Sequence, residues 1–342
     1  MLAARAFATT AAYDAAIAAW FAADEPFPAT AVIALDKMLD LSYGENPHQR
    51  AAYYAERGSR SHLLSRIEQL HGKELSFNNL NDLNGARLLA REFAVPACVI
   101  VKHANPCGVA IGSTALEAYE KALASDPTSA YGGIVVLNRE VDGPLGEKLA
   151  EQFVEVLFAP GYDDAALEAL RRRQGTRILR DTERAPRVDR RTFKRVAGGL
   201  LVQDPDAEVE DRDGWQVACG APDERQWADL VFAWRVCKHV SSNAIVLARD
   251  GATIGIGAGQ MSRVDAVRIA VEKAAAHGHD PAGSVLASDA FFPFPDGPQI
   301  ALDAGTMAIV QPGGSKRDQD VIDAVAAAKA AMVFTGRRHF RH

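Results

Sequence analysis

From residue 99 to 173, short apolar runs alternate with stretches whose apolar residues recur every three to four positions. An apolar run bounded by turn residues reads as a buried strand, and the longer recurrence reads as an amphipathic helix. These rules predict a strand at 99–103 ending in Lys102-His103, then a turn and short strand to Gly112. A helix over 114–124, a strand over 132–138, a helix over 145–153, a strand over 154–161 and a helix over 163–173 follow. A second segment repeats this order. It predicts a strand at 234–239 ending in Lys238-His239 and a hairpin through Arg249-Asp250-Gly251 into 252–260. After these come a helix over 264–277, strands over 283–292 and 306–314, a helix over 319–330 and a strand over 331–335.

The two Lys–His pairs lie 136 residues apart (238 − 102), and the Pro160-Gly161 and Pro312-Gly313 pairs lie 152 apart (312 − 160). Insertions in surface loops account for that drift. Strands alternating with amphipathic helices imply mainly parallel or mixed sheets covered on both faces. The expected fold is therefore α/β, as two duplicated three-layer α/β/α halves. The expected organisation is an N-terminal helix and linker over 1–40, a first half over 41–200 and a second half with the C-terminal tail over 201–342. Residues around 175–230 are expected to form a charged connection with extra strands. A site is expected where loops of the two halves meet.

The 342 residues are 48% apolar and 24% charged, ordinary for a globular chain. A net charge of −6 gives no overall pull toward nucleic acid or an anionic membrane, so an anionic substrate needs a local basic site. The four cysteines (Cys98, Cys107, Cys219, Cys237) form no C-x-x-C pair and read as reduced thiols of a cytoplasmic protein. The opening residues are mostly Ala, interrupted by Asp14, with Ala16, Ile17, Trp20 and Phe21 continuing a helical stripe. That pattern predicts a surface or linker helix rather than a targeting segment, and no run has the length of a membrane span.

The candidate chemistry starts at Lys102-His103. Asn105 and Pro106 predict a tight turn that holds both side chains on a fixed backbone. Lysine supplies a point charge for a developing oxyanion, and histidine moves a proton near neutral pH. Gly255, Gly257 and Gly259 form G-x-G-x-G, which lacks the dinucleotide-loop spacing and reads as close backbone packing beside a ligand. Phe291, Phe292 and Phe294 sit among Pro293 and Pro295, which rule out a regular central strand. They predict a rigid apolar wall for a flat ring, with Asp296 as hydrogen-bond acceptor. In the basic tail (Arg337, Arg338, Arg341, His342), Phe340 argues for docking, with Arg338 placed to meet a phosphate. No zinc site is read: the residue three after Cys107 is Ala110, and no H-x-E precedes it. Residues 312–318 are not a P-loop.

Together the segments "LSYGENPHQ", "GKELSFNNLND", "VKHANPCG", "SAYGGIVVLNREVD", "FVEVLFAPGY", "SSNAIVLARDGATIGIGAGQMSR", "SDAFFPFPDG" and "RRHFRH" resemble the AICAR transformylase domain of the bifunctional purine biosynthesis family. The resemblance runs from about residue 5 to the end, in the family's order. It implies two cytidine-deaminase-like halves without the deaminase metal site. It also implies transfer of a formyl group from 10-formyltetrahydrofolate to the 5-amino group of AICAR, giving FAICAR and tetrahydrofolate. By the same resemblance His103 moves the proton, Lys102 stabilises charge and Asn243 meets the formyl oxygen. Tyr43, Asn79, Gly132, Glu155, Arg338, Phe340 and His342 fall on nucleotide-site positions, and Phe291, Pro293, Phe294 and Asp296 on folate-site positions. A homodimer is implied, because the family's "YGENPHQ" and "NNL" segments reach the site of the other subunit. Some members bind potassium. The family has a phosphate-contacting Arg where this chain has Ser42, so a weaker phosphate contact is expected unless Arg338, Lys102 or another cation substitutes. The family's cyclohydrolase segment has no counterpart here, so no IMP cyclohydrolase activity is expected. The alternatives are a non-catalytic nucleotide-binding domain and a zinc deaminase relative, which turnover and metal analysis separate.

Overall fold

The computed structural model describes residues 1–57, 62–181, 191–207 and 212–342. Parts of the expected charged connection, 182–190 and 208–211, lie outside the described residues. The chain packs as two compact units, the smaller from residues 1–67 and 74–80 and the larger from 68–73 and the described residues from 81 onward. In the smaller unit, helix α1 (Leu2–Phe21) buries only Ala12 and Ala15. Strands β1 (Leu35–Leu41) and β2 (Ala51–Glu56) pair antiparallel. The loop between them is closed by Gly44 N–H donating to Gln49 O at 2.7 Å and by Asn46 N–H donating to Gln49 Oε1 at 2.9 Å.

From β3 onward the chain contains a repeated order of elements. The first run is β3 (Ile67–His71), α2 (Phe77–Ala90), β4 (Ala97–Lys102), β5 (Asn105–Ile111), α3 (Ala115–Ser125), the single turn α4 (Pro127–Ala130), β6 (Ile134–Leu137), α5 (Gly143–Ala150), β7 (Val156–Ala159), α6 (Asp164–Arg171) and β8 (Arg177–Asp181). An exposed hairpin of β9 (Thr192–Val196) and β10 (Gly199–Gln203) comes next. The second run is β11 (Gln216–Cys219), α7 (Glu224–Cys237), β12 (Ile245–Arg249), β13 (Ala252–Gly257), α8 (Arg263–Ala276), β14 (Val285–Ser288), α9 (Asp296–Asp303), β15 (Ala308–Gln311), α10 (Asp318–Ala327) and β16 (Ala331–Phe334).

Among the described residues, twelve of these strands form one mixed sheet, ordered β11-β16-β15-β14-β12-β13-β5-β4-β6-β7-β8-β3. The order reads the same outward in both directions from the antiparallel β5–β13 contact at Ala110 and Ala252. Every residue of β6, β7, β12, β14 and β15 except Arg249 is fully buried, which requires cover on both faces of the sheet. The α/β expectation therefore holds.

One expectation is overturned. Residues 234–237 are the last turn of α7, and Lys238 is its C-cap. Helix α7 buries Leu230, Phe232, Ala233, Trp234, Val236 and Cys237, and so wide an apolar face at its end mimics a buried strand. Its start is marked by a capping box of Asp223 and Gln226. The Lys–His pairs are thus not equivalent. The repeat runs at 147 residues, since α2 spans 77–90 and α7 spans 224–237 (224 − 77). Close packing repeats with it. A Cβ on Gly108 would lie 2.0 Å from Ala122 O, and one on Gly255 would lie 2.1 Å from Ala270 O. The glycines at 255 and 257 therefore let β13 lie close against α8, and Gly255 also lines the cavity described below.

Candidate active site

Lys102 is the last residue of β4, and His103-Ala104 make the turn into β5. Both turn residues have positive φ, 51° and 65°. The Lys102 ammonium donates to the carbonyls of Tyr131 at 2.9 Å and Gly132 at 3.0 Å. An ammonium has three donors, so this grip fixes Lys102 and leaves one N–H for an incoming oxygen. Gly132 allows the grip: its φ is +68°, and a Cβ would stand 3.2 Å from Lys102 Nζ and 3.4 Å from the Phe153 ring. Glu155 lies on the next strand end, its N–H donating to Gly133 O at 3.0 Å and its carboxylate 3.7 Å from Arg177. Lys102, Gly132 and Glu155 therefore share one edge of the sheet.

Asn105 joins the two halves. Its Oδ1 accepts the Ser241 N–H at 2.8 Å, which draws the 241–243 segment to the His103 turn. Asn243 is held on three sides: Nδ2 donates to Gln260 O at 2.8 Å and Met261 O at 3.2 Å, and Oδ1 accepts from Arg263 at 2.7 Å. Arg263 also donates to Ser288 Oγ at 2.9 Å and pairs with Asp289, which is wholly buried. Donation from Nδ2 to a ligand thus requires Asn243 to release a backbone carbonyl, the longer Met261 contact being the weaker.

The tail docks by alternate residues. His339 is buried against Trp234, with ring centroids 5.1 Å apart, and its N–H donates to Asp289 O at 3.0 Å. Arg341 donates to His239 O at 2.6 Å, and its carbonyl accepts Ser242 N–H at 2.9 Å. Arg338, Phe340 and His342 face outward, with the Arg338 guanidinium 4.5 Å from the Phe340 ring centroid.

A cavity of about 270 Å³ opens beside the turn, its lining including Lys102, His103, Asn105, Gln260, Asp126 and Lys273. Burial raises the Asp126 carboxyl, but bonds from Lys273 and Ser129 outweigh it and hold the group below its usual range, as an anion. Cys107 also lines the cavity, and burial and the charge of Asp126 push its thiol up to about 12, so it offers no thiolate nucleophile.

Lys102 and His103 line this cavity and Asn243 does not, though its hydrogen-bond partner Gln260 does; comparison with known proteins gives the arrangement a context. Residues 1–273 match the AICARFT/IMPCHase bienzyme family. The chain belongs to that family. The Bifunctional purine biosynthesis protein PurH of Anoxybacillus flavithermus is 50% identical over 344 residues, a match covering 100% of this chain and 67% of the relative. The proteins of that name from Sorangium cellulosum and Dinoroseobacter shibae are 52% and 50% identical, again over 100% of this chain and 68% and 67% of theirs.

The other residues implied by family membership fall in two places. Tyr43 and Asn79 belong to the smaller unit. There the Tyr43 carbonyl accepts the Phe77 N–H at 3.1 Å, and Asn79 Oδ1 caps the Ser76 N–H at 3.0 Å. Ser42 donates to Leu75 O at 3.3 Å. Phe291, Pro293, Phe294 and Asp296 form an exposed loop at the start of α9, and none of them lines the cavity. Phe292 is the buried anchor of that loop, its N–H donating to Gln311 Oε1 at 2.8 Å. Phe294 carries the Arg317 guanidinium 4.9 Å from its ring centroid. The chemical supports that sequence reasoning missed are Asp82, Arg263 and Asp289, and Arg341 was read only as part of the basic tail. All stand inside recognisable segments, but only the fold reveals which backbone they hold.

Proposed function

We propose that this chain acts in purine biosynthesis as an AICAR formyltransferase, passing the formyl group of 10-formyltetrahydrofolate to the 5-amino group of AICAR. The carrying observation is the fixed Lys102 ammonium beside the His103 turn, with one donor left over at a cavity mouth. Family membership supports the same reading.

The AICAR amine is a weak nucleophile because its ring and carboxamide withdraw the lone pair. Attack on the formyl carbon makes a tetrahedral oxyanion, and the amine loses a proton while N10 of the folate gains one. His103 takes the amine proton, and Lys102 meets the oxyanion and then donates a proton to N10 as the bond between the formyl carbon and N10 breaks. Asn243, already oriented by Arg263, contacts the formyl group through the amide N–H it releases from Met261. Arg338, Phe340 and His342 take the nucleotide together with Gly132 and Glu155, and Tyr43 and Asn79 complete that site from a partner subunit. The Phe291–Asp296 loop forms a wall for the folate ring. A potassium ion, where one binds, suits the Oδ2 of Asp289, a buried hard oxygen without a hydrogen-bond partner.

The test is a steady-state assay of the purified chain with AICAR and 10-formyltetrahydrofolate. Turnover to FAICAR and tetrahydrofolate is expected. A folded protein that binds AICAR without turnover points to the non-catalytic nucleotide-binding reading, and AICAR deamination with stoichiometric zinc points to the deaminase reading.

A further inference from the structure

We propose that Asp82 is the positioning residue of the His103 turn, holding the imidazole at the angle the reaction uses; this rests on the formyltransferase reading given above. The turn between β4 and β5 places His103 and Ala104 in the left-handed region, at φ 51° and 65°. Two-residue hairpin turns of this kind are normally built from Asn-Gly, Asp-Gly or Gly-Gly, because side chains crowd the backbone there. A His-Ala pair needs something outside the turn to hold it. Asp82, on α2, supplies it: its Oδ1 accepts the Ala104 N–H at 2.9 Å.

The second half of the sheet contains the same device. Asp229 lies on α7, 147 residues after Asp82 (229 − 82), and its carboxylate accepts the N–H groups of Asp250 at 3.0 Å and Gly251 at 2.8 Å. Those residues are also 147 beyond His103 and Ala104, with φ 53° and 69°. There the turn is Asp-Gly, which suits the geometry unaided, and it carries no imidazole. In the first half alanine stands where the second has glycine, and histidine where it has aspartate. The conformation is retained against the preference of its residues, and the carboxylate clamp carries more of the load. Lys102 is fixed independently by Tyr131 and Gly132, so Asp82 sets the position of His103 relative to a stationary cation.

The experiment compares Asp82→Ala, Asp82→Asn, the double variant Asp82→Ala/Ala104→Gly and the control Asp229→Ala, by kcat, both KM values and melting temperature. Asp82→Ala is expected to lower kcat about 10- to 100-fold with both KM values nearly unchanged, the signature of a misaligned catalytic group. Asp82→Asn retains the acceptor oxygen and is expected to retain most of kcat. Ala104→Gly is expected to restore much of what Asp82→Ala loses, since glycine adopts the turn without the clamp. Asp229→Ala is expected to lower melting temperature and leave kcat in place. Wild-type kcat in Asp82→Ala overturns the inference, and so does a double variant no faster than Asp82→Ala. If Asp82→Ala does not fold, Asp82→Asn and the double variant decide the matter in the same way. If the wild-type chain transfers no formyl group, the functional reading fails. The turn itself is then followed by backbone chemical shifts of His103 and Ala104, which must leave left-handed values in Asp82→Ala and return with Ala104→Gly.

Discussion

Arg263 illustrates how much one side chain organises. It spans Asn243, Ser288 and Asp289, and its partner Asp289 is wholly buried. Removing one member of a buried pair leaves a charge without compensation, at a cost of about 3–5 kcal/mol. Arg263→Ala is therefore expected to shift the urea midpoint strongly downward, while a loss under about 1 kcal/mol contradicts a buried network. At this scale the sequence was informative about residue types and less so about partners. Lys102-His103 is visible because a cation and an imidazole at a strand end are poor packing residues. Asp82 and Arg263 are hidden, since an acidic residue in a helix and a basic residue at a helix start are ordinary until the fold shows what they reach.

The second Lys–His pair belongs to the scale of elements. It ends α7 and pins that helix to the loop before β4, with His239 Nε2 3.0 Å from Glu92 Oε1 and Lys238 Nζ 3.6 Å from the same oxygen. Burial pushes the His239 imidazole below its ordinary value of 6.5, more than Glu92 raises it. Burial also raises Glu92, but the His239 hydrogen bond and the nearby charges of His239, Lys238 and Arg235 outweigh it, so its carboxyl stays below its ordinary 4.5. Both groups bind protons more readily in the unfolded chain. Their contribution to stability is present above pH 6.5 and is lost as pH falls, first through the His239 range and then through that of Glu92. Melting temperature is expected to decline on acidification from pH 7 to 5, with a shallower slope in His239→Gln. An unchanged slope assigns the acid sensitivity elsewhere. Periodicity alone read 234–239 as a strand, because the end of α7 is apolar on nearly every face. The capping box at Asp223 was the available correction, and the 147-residue repeat would have followed from it.

At the scale of the whole molecule, the smaller unit leaves many large apolar side chains uncovered. Helix α1 and its neighbours expose Phe7, Tyr13, Trp20, Phe21, Phe27 and Met38, each more than half accessible. Large apolar side chains grouped in this way mark an interaction surface. Among the described residues, no helix is long and apolar enough to cross a membrane. A second copy of the chain is the partner that the proposed site requires, so light scattering at micromolar concentration is expected to give the dimer mass. A monomer with full formyl transfer contradicts the shared site. The α/β class and most element positions were legible in the chain because central strands must be apolar throughout and their helices amphipathic. The smaller unit was not, since its strands bury little and leave no clean alternation.

The central claim is that chemistry occurs at the first Lys–His pair while the second pair serves the fold. It is tested most directly by measuring kcat for formyl transfer in His103→Ala and His239→Ala beside the wild type, with melting temperature recorded for each. The account predicts that His103→Ala loses about 100-fold or more in kcat and melts as the wild type does, the loss expected for a general base. His239→Ala is predicted to melt earlier and keep its kcat. A His103→Ala protein that turns over at the wild-type rate, or a stable His239→Ala protein that has lost turnover equally, would contradict it.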